Sequence, residues 1–160
     1  MQRTRPRCAE YVNESSIMGM RELYWDHIED KAILAIEADP TTPELPERAS
    51  FWHINFYVEK YRLSLTTNQD TDEIVVAVEP TSIEPPTGPL LIPELRALIG
   101  RSFGWNWSAV NSQGYADMLV LAFTGEPGAG VTPQLAFLVE ASAIHIHQVS
   151  AIGRGLTPKS

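Results

Sequence analysis

The sequence contains a single cysteine, no long apolar segment and few basic residues. Since Cys8 stands alone, no disulfide can form within the chain, which is typical of a reducing cytoplasm. No run approaches the roughly 18 apolar residues of a membrane-spanning helix. The arginine-rich residues 1–7 are not followed by the apolar stretch of a secretory signal. We therefore expect a cytoplasmic protein that has no membrane partner.

Basic residues are scarcest where acidic residues are concentrated. The net charge of the chain is −8, and residues 20–84 hold fourteen acidic side chains against five basic ones, a local charge of −9. Residues 85–160 hold four of each and are neutral. Because such a charge repels a phosphate backbone, we expect no nucleic-acid partner. The charge favours a basic protein partner, and a solubilising surface is the simpler interpretation of the same residues.

Motifs of several enzyme classes are also absent from the sequence. The chain has no G-x-S-x-G elbow, no phosphate-binding glycine loop and no G-x-G-x-x-G after a strand. No set of nucleophile, base and oxyanion donors is evident in it. These absences favour a non-enzymatic protein without a cofactor.

The length of 160 residues fits one domain with a core of its own. Residues 1–19 show no sustained periodicity, so we predict a weakly ordered N-terminal tail there. A single globular domain is predicted at residues 20–152, and a C-terminal tail at residues 153–160.

Alternation of apolar and polar residues is the main pattern of the domain. Trp52 alternates in phase with Ile54, so a strand is predicted here with both side chains on its buried face. The alternation slips by one position before Tyr61, as it does at a bulge or a bend. Apolar or alternating segments predict further strands at residues 31–38, 61–66, 74–78, 103–110, 115–123, 135–139 and 143–149. The fold class predicted is α+β and mostly β, with about eight antiparallel strands in a sheet or small sandwich.

One short helix is predicted at residues 93–99. Pro93 suits the first helical position, Glu94 favours the positive end of the helix, and Gly100 can end it in the left-handed conformation. The buried stripe of this helix is predicted to consist of Leu95, Leu98 and Ile99.

The most distinctive segment of the sequence is residues 105–117. A hairpin is predicted here, and its aromatic, amide and carboxylate side chains together are typical of a recognition surface. The candidate binding residues are Trp105, Trp107, Asn111, Gln113, Tyr115 and Asp117. A structural interpretation competes with this one, because tryptophans pack in cores and Asn and Asp stabilise turns.

The same segment carries a family resemblance. Residues 98–101, the motif W-x-W-x3-N-x-Q-G-Y-x-D at 105–117 and residues 141–144 resemble an uncharacterised bacterial family, a domain of unknown function. The resemblance covers about residues 20–150 and implies a bacterial, cytoplasmic protein, without an established activity or catalytic residues. In size and acidic charge the chain is also similar to immunity proteins of bacterial toxin systems.

His145 and His147 are the candidate metal ligands, because residues two apart on a strand face the same way. No glutamate follows at the short interval that a metal site of this type requires, and the apolar neighbours occupy the other face of the strand. We therefore predict a pair of surface histidines and no metal site.

The function predicted from the sequence is a non-enzymatic binding or protein-interaction module, immunity-like if the second resemblance holds. One alternative is a small hydrolase or ligand-modifying enzyme that uses Asp117 with a histidine. The other alternative is a structural homo-oligomer whose subunits meet at the hairpin.

Overall fold

The computed structural model describes residues 25–43, 50–88, 90–125 and 132–150. This part of the chain contains eight strands: β1 Ala35–Pro40, β2 Ser50–Val58, β3 Tyr61–Asn68, β4 Glu73–Pro80, β5 Ser102–Val110, β6 Ala116–Thr124, β7 Pro133–Glu140 and β8 Ala143–Gln148. The helices described are a 3₁₀ turn at Trp25–His27 and α1 at Pro93–Arg96. The two predicted tails lie outside the described residues.

All eight strands form one antiparallel sheet, in the order β4-β3-β2-β8-β7-β6-β5, with β1 added to β2. The segment before β1 hydrogen-bonds to the start of β5, where Ile33 N donates to Arg101 O at 2.8 Å and Asp30 N to Phe103 O at 3.1 Å. The sheet is therefore curled, and the segment before β1 closes on the start of β5. The predicted mostly antiparallel β fold with one short helix is confirmed.

The core lies inside the curl of the sheet. Its largest fully buried side chains include four phenylalanines, and Phe56 makes edge-to-face contacts with both Phe103 and Phe137. These contacts join β2 to β5 and to β7. Their edge-to-face geometry is the one that aromatic pairs prefer to a flat sandwich. Leu95 of α1 is also fully buried and belongs to the same core cluster.

A bulge in β2 reverses the predicted orientation of one tryptophan. Pro40 pairs with Phe51 and Asp39 with His53, which leaves Trp52 as an extra residue between them. Because a bulge shifts the alternation by one position, Phe51 is fully buried whereas Trp52 is 46% exposed. The prediction that Trp52 lies on the buried face with Ile54 is therefore wrong.

The slip before Tyr61 is a turn and not a bulge. Val58 pairs with Tyr61, so residues 59–60 form a two-residue hairpin turn. Lys60 adopts a φ of +64° there, a left-handed conformation that some tight turns place at their third residue.

Two further predicted boundaries differ from the structure. The first strand begins at Ala35 and not at residue 31, because residues 29–33 bond to β5 instead. The helix ends at Arg96, and of the three residues of the predicted buried stripe Leu95 and Leu98 are fully buried whereas Ile99 is 44% exposed. Gly100 has a φ of +85° and does adopt the left-handed conformation predicted for it. No helix in the described part is long and apolar enough to cross a membrane.

Candidate functional site

The turn between β5 and β6 is organised by the side chain of Asn111. Its Oδ1 accepts hydrogen bonds from Gln113 N at 2.9 Å and from Tyr115 N at 3.2 Å. Gly114 has a φ of +89°, a conformation in which a residue with a Cβ is strained. Asn111 is thus a turn residue, as the structural interpretation of this segment predicts.

Asp117 supports the same turn from β6. It is the extra residue of a bulge, since Ala109 pairs with Met118 and Val110 with Ala116. Its Oδ2 accepts a hydrogen bond from Asn111 Nδ2 at 3.2 Å. Among the described residues Asp117 makes no hydrogen bond with a histidine, so the geometry lends no support to an Asp–His catalytic pair.

A second bulge aims Trp105 at solvent. Phe103 pairs with Phe123, but Asn106 already pairs with Leu121, so two residues of β5 oppose one residue of β6. Phe103 is consequently buried, whereas Trp105 is 57% exposed. Trp107 is half-buried beside it, with the two indole ring centroids 6.2 Å apart.

The remaining predicted binding residues lie at the tip of the hairpin. Gln113 is exposed and its side chain makes no hydrogen bond with the described residues. Tyr115 is 36% exposed. The candidate residues therefore divide into two kinds: four have side chains that solvent reaches, and Asn111 and Asp117 hold the turn that carries them.

The histidine pair lies on the same outer face of the sheet as Trp107. Trp107 pairs with Val120, Val120 with Ala136, and Ala136 with His147, and cross-strand partners project from the same face. At about 4.8 Å between neighbouring strands, His147 is roughly 14 Å from Trp107 across the sheet. His145 is half-buried and His147 exposed, and the described residues contain no group of three or more potential metal ligands.

A polar network that was not predicted from the sequence lies on the outer face of β1, β2 and β3. Glu37 Oε2 accepts hydrogen bonds from Asn55 Nδ2 at 3.1 Å and from Tyr57 OH at 3.0 Å. Asn55 is 9% exposed and Tyr57 only 4% exposed. The available signal was alternation, which places both residues opposite the core face, but alternation does not predict that this face is buried as well.

The network keeps its groups in their ordinary charge states at neutral pH. The hydrogen bond from Asn55 has the largest effect and lowers the pKa of Glu37 below its usual 4.5; burial, the next largest effect, opposes it, and the hydrogen bond from Tyr57 lowers the pKa further. Burial and then the bond to Glu37 raise the pKa of Tyr57 above 10. Since a general acid or base works best with a pKa near the working pH, this network is better suited to stabilising the sheet than to proton transfer.

Arg62 extends the network to β4. Its Nη2 donates to Glu79 Oε2 at 3.1 Å, and this hydrogen bond raises the pKa of Arg62 further. Arg62 Nε and Ser64 Oγ are buried and make no hydrogen bond with the described residues. The hydrogen bonding of the network is therefore incomplete on this side. A buried polar atom without a partner costs about 1–3 kcal/mol.

The class of protein that these features define is an antiparallel sheet protein with an exposed aromatic hairpin at one end of the sheet. Residues 18–153 match the model of a family of unknown function, DUF6334. The chain belongs to this family, which confirms the predicted membership of an uncharacterised family. No curated protein and no solved structure matches the chain. The likeness to immunity proteins stays a prediction.

Proposed function

We propose that this protein is a non-enzymatic binding protein and that the β5–β6 hairpin is its contact surface. The observation that carries the proposal is the exposure of Trp105, which is 57% accessible while its ring lies beside that of Trp107. A large aromatic side chain held in place by a bulge loses little conformational freedom on binding, and tryptophans are enriched among the residues that dominate binding energy.

The roles of the candidate residues follow from their positions. Trp105, Trp107 and Tyr115 are the apolar anchors, and Gln113 supplies directional hydrogen bonds from the tip of the hairpin. Asn111 and Asp117 are positioning residues, because their side chains are engaged in the turn.

The partner proposed is a basic protein. The chain carries a net charge of −8, of which residues 20–84 contribute −9, whereas β5 and β6 together contain only one charged residue, Asp117. The hairpin therefore supplies apolar contact, and the acidic remainder attracts the partner over a longer range. An immunity-like role, in which the partner is a toxin, is the finer form of this proposal.

A capture experiment with two matched tryptophan variants tests the proposal. Trp105→Ser removes the proposed anchor, which is 57% exposed, and Trp52→Ser removes an indole that is 46% exposed from a bulge in a different strand. We expect immobilised wild-type protein and Trp52→Ser to retain the same protein from an extract of the source cells, with less retained as salt is added. Trp105→Ser should bind that protein about 30-fold more weakly, since a binding hot spot contributes about 2 kcal/mol.

Three other outcomes would oppose the proposal. Equal retention by both variants places the contact surface elsewhere, and retention by none of the three proteins removes the binding function. Self-association of the wild type that Trp105→Ser abolishes, measured by sedimentation, would establish the homo-oligomer instead. Thermal unfolding of each variant shows beforehand that its fold is intact.

A further inference from the structure

The edge strands of the sheet, β1, β4 and β5, differ in their protection against pairing with another chain. β1 carries two acidic residues and ends at Pro40. β4 carries Glu73, Glu79 and Pro80, and charged residues and prolines are what natural proteins place on exposed edges. β5 contains no charged residue and no proline along its nine positions. A bulge lies near its start. β5 is therefore the edge that remains competent to accept another strand.

The start of this edge is closed by the protein itself. Asp30 N donates to Phe103 O, and the indole Nε1 of Trp25 donates to Gly104 O at 3.2 Å. Beyond this point, residues 105–110 pair with β6 on one side and form no backbone hydrogen bond with the described residues on the other. Within the described part of the chain, an open edge of six residues thus begins at Trp105.

Acidic side chains stand where the open edge begins. Asp26 directly follows Trp25, and Glu29 bridges to Phe103; both acidic side chains are exposed. A strand that pairs with residues 105–110 would end against these two carboxylates. A lysine or arginine at that end of the strand would complement them, while the neutral edge itself requires no charge from the rest of the segment.

We propose that the partner binds by adding a β-strand to residues 105–110, with an extended uncharged segment that has a basic residue at the end next to Glu29. The inference rests on the proposed function and specifies how the partner binds. In strand addition, backbone hydrogen bonds give affinity and alternate side chains give specificity. A second copy of the chain fits less well. In antiparallel pairing of two β5 strands, Val110 of the copy is followed by Asn111, which offers no cation to Glu29.

Synthetic peptides test this mode on the full-length protein. The probe is a six-residue peptide of alternating valine and threonine with a lysine appended, made once with the lysine at each end. The matched probes carry glutamate in place of lysine, or N-methyl groups on alternate backbone nitrogens. Binding is followed by the amide resonances of residues 105–110 in NMR spectra.

We expect one lysine peptide to shift the amide resonances of residues 105–110 and to bind roughly two- to fivefold more tightly than its glutamate counterpart, the range of an exposed ion pair. Glu29→Gln should reduce this preference, whereas Glu84→Gln, which removes the same charge from an exposed loop, should leave it unchanged. The N-methylated peptide should not bind, because it cannot complete the backbone hydrogen bonds.

The inference is overturned if neither lysine peptide shifts residues 105–110, or if the N-methylated peptide binds as well as its parent. Either result is compatible with capture of a partner that depends on Trp105, so the proposed function would survive the failure of strand addition. Protection of residues 105–110 that grows with protein concentration, without any peptide, would assign the edge to a second copy and also overturn the inference.

Discussion

At the scale of single residues, Tyr57 shows how a polar side chain can be buried on the outer face of a sheet. Its hydroxyl donates to Glu37, which also accepts from Asn55, and these bonds lower the pKa of the carboxyl group. A carboxyl group with a lowered pKa stabilises the fold fully above its unfolded-state pKa. This stabilisation disappears as the pH falls through the lower pKa of the folded state.

Tyr57→Phe should therefore destabilise the protein in a pH-dependent way. At pH 7 we expect the free energy of unfolding to fall by about 1 kcal/mol, the contribution of one partly exposed hydrogen bond. The difference from wild type should narrow once the pH falls below the usual 4.5 of a glutamate, because Glu37 becomes protonated in both proteins. Urea denaturation at a series of pH values measures this difference.

The control is Tyr61→Phe, which removes a hydroxyl group that makes no hydrogen bond with the described residues. Its effect should stay within about 0.5 kcal/mol at every pH. A constant difference between Tyr57→Phe and wild type across the pH range would show that the bond to Glu37 does not contribute as described.

At the scale of elements, bulges decide which tryptophans reach solvent. Trp52 lies in the bulge of β2 and Trp105 in that of β5, and both are about half exposed although they stand in alternating apolar patterns. The strands themselves were predictable, since alternation with a period of two is a local property of the backbone. The bulges were not, because they depend on how each strand aligns with its partner.

Alanine substitutions in β2 test the bulge directly. Phe51→Ala should lower the free energy of unfolding by about 3–5 kcal/mol, because it leaves a cavity in the core. Trp52→Ala should change it by no more than about 1 kcal/mol, because this side chain is half exposed. If apolar and polar positions alternated strictly from Ile54, Trp52 would be buried and Trp52→Ala would destabilise the protein more than Phe51→Ala. Chemical denaturation of both variants would therefore contradict the bulge if Trp52→Ala were the more harmful change.

At the scale of the whole molecule, one aspartate joins two hairpins that are distant in the sequence. Asp72 Oδ1 accepts hydrogen bonds from Ser142 N at 2.8 Å and from Ser142 Oγ at 3.1 Å. Ala141 and Ser142 form the turn between β7 and β8 with φ values of +49° and +61°. Residues with a Cβ are strained in this conformation, so the contact with the β3–β4 turn stabilises the β7–β8 turn.

Asp72→Ala should consequently lower the free energy of unfolding by about 2–3 kcal/mol, because two hydrogen bonds to a charged acceptor are lost and the strained turn loses the contact that holds it. Asp70→Ala is the matched control in the same turn, because Asp70 is exposed and only its backbone is hydrogen-bonded. It should change stability by less than about 0.5 kcal/mol. Equal melting temperatures for the two variants would show that the Asp72–Ser142 contact is not stabilising.

The sequence by itself determined the predominance of antiparallel strands, the position of the turn at Asn111 and the acidic charge of residues 20–84. These properties follow from local alternation, from the turn chemistry of Asn and Gly, and from composition. Only the tertiary structure decided that Trp105 faces solvent, that Tyr57 is buried and that Asp72 reaches Ser142. Each of these depends on strand alignment or on contacts between residues far apart in the chain, and periodicity carries no information about either.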